Sequence, residues 1–324
     1  LVGSEMCIRD SYMIDFKDIT LQDKDTITGY TMNSCRRNCD LSFSNLCSWR
    51  FLYHTKFAIV DDWLVFKFWA GEKLAYMMPV GQGDLKKVLE ALIENARQEG
   101  QPFCMLGVCS CMREELENIM PGQFTFTADR DYADYIYLRT DLATLKGKKF
   151  QAKRNHINKF RNTYGNYEYT PITPNRIQEC LDLEAEWCKV NNCDQQEGTG
   201  NERRALIYAL HNFEALGLTG GILHVDGTIV AFTFGMPINK ETFGVHVEKA
   251  DTNIDGAYAM INYEFANHIP EQYIYINREE DLGIEGLRKA KLSYQPVTIL
   301  EKYMACLKAV SYTHLRAHET GAYL

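Results

Sequence analysis

The sequence predicts an α/β (mixed α+β) fold made of two similar halves, each a mixed twisted sheet flanked by helices. Three observations carry that expectation. The 324 residues are 46% hydrophobic and 24% charged, with 22 Gly and 8 Pro, a balance that excludes disordered, collagen-like and low-complexity chains. The apolar spacing alternates between helical and strand periods along the whole length. Both halves also run through nearly the same order of elements.

Both ends are set aside first. Glu5-Met6-Cys7-Ile8-Arg9-Asp10-Ser11 and Val310-Ser311-Tyr312-Thr313-His314-Leu315 resemble translations of the opposite strands of one sequencing adaptor. Residues 1–12 and 310–324 are therefore left out of the fold reading, with Met13 the expected start.

In the first half, helices are expected at 21–30 and 40–49. Strands follow at 57–60 and 63–68, turned by Asp61-Asp62, and at 73–78. The amphipathic stretch 84–98 places Leu85, Val88, Leu89, Leu92, Ile93 and Ala96 on one face of a helix. A strand at 103–108, a helix at 112–119 and strands at 123–127 and 134–138 complete this half. The second half begins with helices at 174–190, opened by Pro174, and at 201–216. Asp226-Gly227 lies between two β-rich runs, 222–225 and 228–232, and signals a hairpin. A strand at 243–248, a helix at 256–268, a strand at 273–276, a helix at 284–294 and a strand at 297–300 follow. Hairpins followed by strand–helix–strand crossovers give mixed sheets. This order resembles the GNAT acyltransferase architecture twice over, dividing the chain into 13–145 and 146–309.

The net charge of −8 argues against a general nucleic-acid coater. Residues from Met13 onward show no signal peptide, and the most apolar stretch, Trp63 to Ala70, is too short to cross a bilayer. A cytoplasmic location is expected, with cysteines as reduced thiols. Cys35-x-x-x-Cys39 and Cys109-x-Cys111 are weak metal spacings, and no metal site is assigned.

Three constellations could carry chemistry. Lys146, Lys148, Lys149, Lys153, Arg154, Lys159 and Arg161 lie in a segment without Asp or Glu. Phe150, Ile157, Phe160 and Tyr164 fit its buried face, while Lys149, Lys153 and His156 share another. That face is either a solvated helix surface or a phosphate-binding one. On the strand 243–248, strict alternation puts Gly244, His246 and Glu248 on one face, where His246 or Glu248 could act as a general base, although a strand histidine is also a common structural residue. After the strand at 273–276, Asp281 reads as a helix N-cap, and Arg288 and Lys291 share a face that could hold a phosphate or carboxylate or simply solvate the helix.

A resemblance rests on these residues. Asp281-Leu282-Gly283…Leu287-Arg288…Lys291…Tyr294…Pro296…Tyr303, Lys149…Lys153-Arg154-Asn155-His156…Phe160 and the early stretch Arg36 to Trp49 resemble bacterial proteins related to the C-terminal domain of phosphatidylglycerol lysyltransferase. The resemblance covers 13–309. It implies tandem GNAT-like domains transferring an activated acyl or aminoacyl group to an amine or hydroxyl, with acyl-CoA or aminoacyl-tRNA as donor substrate. Authentic lysyltransferases take the aminoacyl group from a charged tRNA and place it on a lipid headgroup. Usually they carry a membrane-embedded portion, which this sequence does not show.

On that basis His246 and Glu248 are the candidate catalytic residues. Lys149, Lys153, Arg154, Asn155, Asp281, Arg288, Lys291 and Tyr294 are the candidate binding residues. The expected partners are an anionic small molecule, a lipid headgroup or a charged tRNA. GNAT enzymes that use acyl-CoA carry a Gln/Arg-x-x-Gly-x-Gly/Ala loop. The corresponding place here runs from Glu248 to Ala257 and keeps only Gly256-Ala257, with Asp251 and Asp255 set to repel phosphate. The alternative reading is a catalytically silent relative that binds an anionic ligand, a lipid headgroup or RNA.

Overall fold

The computed structural model describes residues 13–191 and 197–308; the adaptor-like ends lie outside the described residues. Its elements are β1 (Lys17–Asp18), α1 (Lys24–Thr31), α2 (Phe43–Ser48), α3 (Arg50–Tyr53), β2 (Lys56–Val60), β3 (Trp63–Ala70), β4 (Lys73–Met77), β5 (Val80–Gly81) and α4 (Leu85–Gln98). Next come β6 (Cys104–Cys109), α5 (Ser110–Ile119), β7 (Phe124–Ala128), β8 (Asp134–Leu138), α6 (Arg139–Thr144), α7 (Gln151–Thr163), β9 (Tyr167–Pro171), α8 (Ile177–Asn191), α9 (Glu197–His211) and α10 (Phe213–Leu216). The chain ends with β10 (Thr219–Val225), β11 (Thr228–Pro237), β12 (Thr242–Ala250), α11 (Ala257–His268), β13 (Tyr275–Asn277), α12 (Glu285–Leu292), β14 (Thr298–Leu300) and β15 (Lys302–Leu307).

Local chemistry explains the elements that the sequence announced. Asp84 caps α4 by accepting the Lys87 amide at 3.2 Å, and Leu85, Val88, Leu89, Leu92 and Ala96 are buried along one stripe. Each buried leucine or valine there contributes about 1.5–3 kcal/mol of transfer free energy. Asp226 and Gly227 both take positive φ, 51° and 77°, the geometry of the two-residue hairpin expected between β10 and β11.

The sheets are mixed, as expected. One runs β1-β2-β3-β4-β6-β15-β7, with β5 also paired to β3. The other runs β14-β8-β13-β12-β11-β10-β9. Parallel pairs occur at β4–β6 and β12–β13, and the remaining pairings are antiparallel.

The halves are not independent in chain order. β15, from the end of the chain, pairs antiparallel with both β6 and β7 in the first sheet. β8, read from sequence as part of residues 13–145, sits between β13 and β14 in the second sheet. A division at 145/146 therefore separates two strands from the sheets they complete. These pairings join residues far apart in sequence, which no local pattern reports.

One thiol expectation is also corrected. Cys104 and Cys306 face each other across β6 and β15 and form a disulfide. Their separation of 202 residues hides the pairing from the sequence. Cys35, Cys39, Cys47, Cys109, Cys111, Cys180 and Cys188 are free. A continuous apolar core, including Phe43, Leu46, Leu206, Leu210, Phe232 and Phe234, ties the first half to the helical side of the second sheet.

Candidate functional site

The site lies where two parallel neighbours separate. β12 and β13 are paired from Thr242↔Tyr275 to Gly244↔Asn277. Beyond Gly244, β12 continues to Ala250, while the chain after Asn277 turns away through Glu279 and Leu282, both at positive φ (58° and 51°). Non-glycine residues in this region cost roughly 1–3 kcal/mol and cluster at functional sites. The carboxyl ends of parallel strands are also the usual ligand crevice of such sheets.

Side chains bridge the gap where the backbones part. His246 Nδ1 lies 2.8 Å from Glu279 Oε1, and Arg278 Nη2 donates to Glu248 Oε1 at 2.9 Å. These two bridges lie on opposite faces of the sheet, which corrects the expected shared face of His246 and Glu248. The cause is a β-bulge. Phe234 pairs with Val247 and Gly235 with Val245, leaving His246 as the extra residue. A bulge of this kind flips the alternation beyond it. Val245 packs with Phe243 and Phe265 on one side, whereas Val247 packs with Phe232 and Phe234 on the other. Opposite the bulge, a Cβ on Gly235 would meet the Gly244 carbonyl oxygen at 1.8 Å, so the close approach requires glycine.

On the α11 side, Glu248 accepts from Arg278 and, at 3.3 Å, from Asn262 Nδ2 of α11. Lys153 of α7 places its Nζ 3.8 Å from the centre of the Tyr294 ring, and the Arg278 guanidinium lies 5.1 Å from the same ring. Burial and the Arg278 charge lower the Lys153 pKa to about 8. Burial likewise pushes the Tyr137 and Tyr294 hydroxyls up, keeping both protonated. Two buried polar atoms lack a partner here, Arg278 Nη1 and Asn262 Oδ1. An unmade hydrogen bond at a buried group costs about 1–3 kcal/mol, more at a charged one.

On the opposite side, His246 Nε2 lies 2.7 Å from Ser42 Oγ. Both imidazole nitrogens are thereby engaged, and the His246 side chain is only 4% exposed.

Below the gap is a buried ionic cluster. The Lys302 ammonium, from β15, lies 2.9 Å from Asp134, 3.2 Å from Asp40 and in contact with Glu280. Asp134 also accepts the Cys39 amide at 2.7 Å and Asn277 Nδ2 at 2.8 Å. Burial pushes the Cys39 thiol well up, and Asp134 and Glu280 add to the effect, so Cys39 is not a thiolate nucleophile. Burial raises the Glu280 carboxyl to about 7 despite Lys302. Ligand atoms of Cys39, Asp134 and Glu280 lie within 4.8 Å of one another, but the Lys302 ammonium already supplies the positive charge among these groups.

Several predicted binding residues have other employment. Arg288 Nε and Nη2 donate to Asp281 at 2.8 and 2.7 Å, and Nη2 reaches Asp131 at 2.6 Å. Asp281 is buried, and Ile284, not Asp281, occupies the N-cap of α12. Lys291 is buried and donates to the carbonyls of Arg278 (2.6 Å) and Glu280. These contacts hold the 278–283 turn in place. Of the basic helix, only Lys153 reaches the gap. Lys149 pairs with Asp141, Arg154 donates to the carbonyls of Leu145 and Gly147, and Asn155 accepts from Gln151. Arg278, Glu279, Asn262, Ser42 and Lys302 were missed. Arg278 and Glu279 stand just before the quoted run that begins at Asp281, and nothing in their spacing separates gap-facing residues from tethers.

The chain matches the family described as "Phosphatidylglycerol lysyltransferase, C-terminal" over residues 32–306. It belongs to that family. It is 85% identical to a conserved protein of unknown function from Bacteroides thetaiotaomicron, with a TM-score of 0.90 over 91% of this chain and 100% of that one. A lysylphosphatidylglycerol synthetase candidate from Agrobacterium fabrum has a C-terminal domain that is 14% identical, with a TM-score of 0.66 over 89% and 92% of the two chains. L-PGS from Bacillus licheniformis is 17% identical, with a TM-score of 0.63 over 91% and 94%. This family member is also 26% identical over 177 residues to an uncharacterized Mycoplasmoides gallisepticum protein, which covers 53% of this chain and 55% of that protein. The family likeness and the two mixed sheets establish the expected tandem GNAT-like fold. Among the described residues no helix is long and apolar enough to cross a membrane.

Proposed function

We propose that this family member transfers an aminoacyl or acyl group from an activated ester to an amine or hydroxyl acceptor, at the gap between β12 and β13. The observation that carries this reading is Arg278, whose buried Nη1 has no partner, together with the equally unpartnered Asn262 Oδ1; both side chains donate to the same Glu248 carboxylate. A ligand offering an acceptor to the first and a donor to the second would satisfy both. Lys153 adds positive charge at the same place; among the described residues it forms no ion pair. The anionic part of a donor would sit there, and its reactive carbonyl would enter the gap. Positioning and charge stabilisation are then the main contributions of the protein.

Two features favour an aminoacyl ester over acyl-CoA. The turn before α11 carries Asp251 and Asp255, and α7 closes over it. Lys159 pairs with Asp255, and a Cβ on Gly256 would lie 3.3 Å from the His156 carbonyl. A pyrophosphate at that helix start would meet two carboxylates and the body of α7. A charged tRNA is the donor that fits best, and an anionic headgroup is one acceptor class to be tried. One observation favours the silent reading instead: His246 is sealed, with both nitrogens engaged.

The test incubates the full chain with charged tRNAs and acyl-CoAs in parallel and follows donor deacylation. Turnover of a charged tRNA is expected, and Lys153→Met should lower it about tenfold without a large change in Tm. Retention of the donor should weaken from pH 7 to 9 in the wild type, as Lys153 loses its proton near 8. The same retention should stay flat in Lys153→Met. Tight retention of a donor without turnover would move the assignment to a binding protein.

A further inference from the structure

Ser42, His246 and Glu279 form a hydrogen-bonded line that the proposed transfer does not by itself require. The Glu279 carboxylate can only accept at His246 Nδ1, so in the neutral tautomer this nitrogen carries the proton. Nε2 is then the acceptor, and the Ser42 hydroxyl donates to it at 2.7 Å. A hydroxyl on a base that is oriented by a third group is the arrangement that activates a serine nucleophile. Glu279 is fixed for the task. Its backbone is held at φ 58°, its amide donates to Asn277 Oδ1 at 2.7 Å, and its Oε1 also accepts from Asn45 Nδ2 at 2.7 Å.

We propose that Ser42 carries the transferred group as a serine ester between donor and acceptor, with His246 as its base and Glu279 holding the imidazole. The inference rests on the transfer reading above and turns it into a two-step reaction. In the first step Ser42 Oγ bonds to the carbonyl carbon, the bond to the donor's leaving oxygen breaks, and the Ser42 proton passes through Nε2 to that oxygen. In the second step the acceptor's amine or hydroxyl attacks the serine ester. Its proton passes through Nε2 back to Oγ, and no oxidation or reduction is involved.

The location suits this chemistry. Ser42 and Glu279 both meet His246 on the face of the sheet opposite the Arg278–Glu248 bridge, directly beside the gap. Ser42 has no exposed surface, and a serine ester there would be shielded from water. The three residues come from three distant segments, which is why no local motif announces them.

The test treats the full chain with diisopropyl fluorophosphate and, separately, with p-nitrophenyl acetate. Adducts are weighed by intact mass and mapped by peptide sequencing. One adduct per chain at Ser42 is expected, with an initial burst of about one nitrophenolate. Ser42→Ala should lose both at an unchanged Tm, and Ser42→Cys should regain an acetyl adduct as a thioester. His246→Gln should slow labelling at least a hundredfold. No adduct on the folded wild-type chain, or an adduct that persists in Ser42→Ala, overturns the proposal. If a charged tRNA is turned over at the wild-type rate by Ser42→Ala, Ser42 is excluded and the transfer reading stands. If Ser42 is labelled but no donor is turned over, the nucleophile stands and the assigned donor classes fail.

Discussion

Lys302→Met is expected to destabilise the protein by about 3–5 kcal/mol, the cost of removing one partner from a buried ion pair. The substitution keeps most of the aliphatic volume but leaves Asp40, Asp134 and Glu280 without their cation. Burial works against the ammonium, yet Asp134, Asp40, Cys39 and Glu280 outweigh it and hold its pKa well above the ordinary value. In Asp40 the order is similar: burial pushes the carboxyl up, but Lys302 and Asn38 bring it below its usual range. The loss should therefore be greatest at high pH and should shrink as acid protonates the stranded carboxylates. Thermal melts of the variant at pH 5 and pH 8 check the sign. Because Lys302 belongs to β15 and its partners to other segments, the same variant should weaken the contact between the two sheets.

Glu280 gives the companion result. Its carboxyl titrates near 7 in the fold against 4.5 ordinarily, so between those values the folded state binds more protons than the unfolded one. Its contribution to stability is complete below about 4.5 and declines as pH rises through 7. Glu280→Gln should remove this decline, giving a smaller difference in Tm between pH 5 and pH 8 than the wild type shows.

Asp281→Asn is the second large effect, about 3 kcal/mol at pH 7. Asp281 has no exposed surface and receives Arg288 twice, the Tyr135 hydroxyl at 2.5 Å and the Gly283 amide at 2.9 Å. Hydrogen bonds from Arg288 hold its carboxyl well below the usual range, against the opposing effect of burial and with help from Tyr135. A depressed carboxyl stabilises the fold above its unfolded pKa, and that stability is lost as pH falls below about 4. Urea unfolding should thus separate wild type and Asp281→Asn most at pH 7 and by less at pH 3, the gap closing fully only as pH falls through the depressed folded-state pKa of Asp281. An equal gap at both values would mean that packing, not charge, sets the cost. Arg288 retains Asp131 in the variant, which keeps the effect near the lower end of the range.

Elements with a local cause were legible in the sequence. The α4 stripe, the Asp226-Gly227 hairpin and the buried Phe160 face of α7 follow from residue spacing and turn chemistry alone. The family was legible as well, through the run from Asp281 to Tyr303, but two residues just ahead of that run have a different task from those within it. Arg278 and Glu279 face the gap, while Asp281, Arg288 and Lys291 tie down the turn that presents them. Spacing cannot make that distinction, because a tether and a ligand-facing cation have the same charge. Lys149 and Lys153 show the same limit: one ends on Asp141, the other over Tyr294, four residues apart.

The sequence by itself determined most element types (not β9, α6 or β15), the mixed character of the sheets and the family, because these depend on neighbours within about a dozen residues. Only the tertiary structure decided which sheet β8 and β15 complete, that Cys104 meets Cys306, and that a bulge at His246 sends it and Glu248 to opposite faces. Each of those outcomes depends on strand register between distant segments. Register is fixed by the sum of packing across a whole sheet, and the gap where β12 and β13 part exists only once that packing is complete.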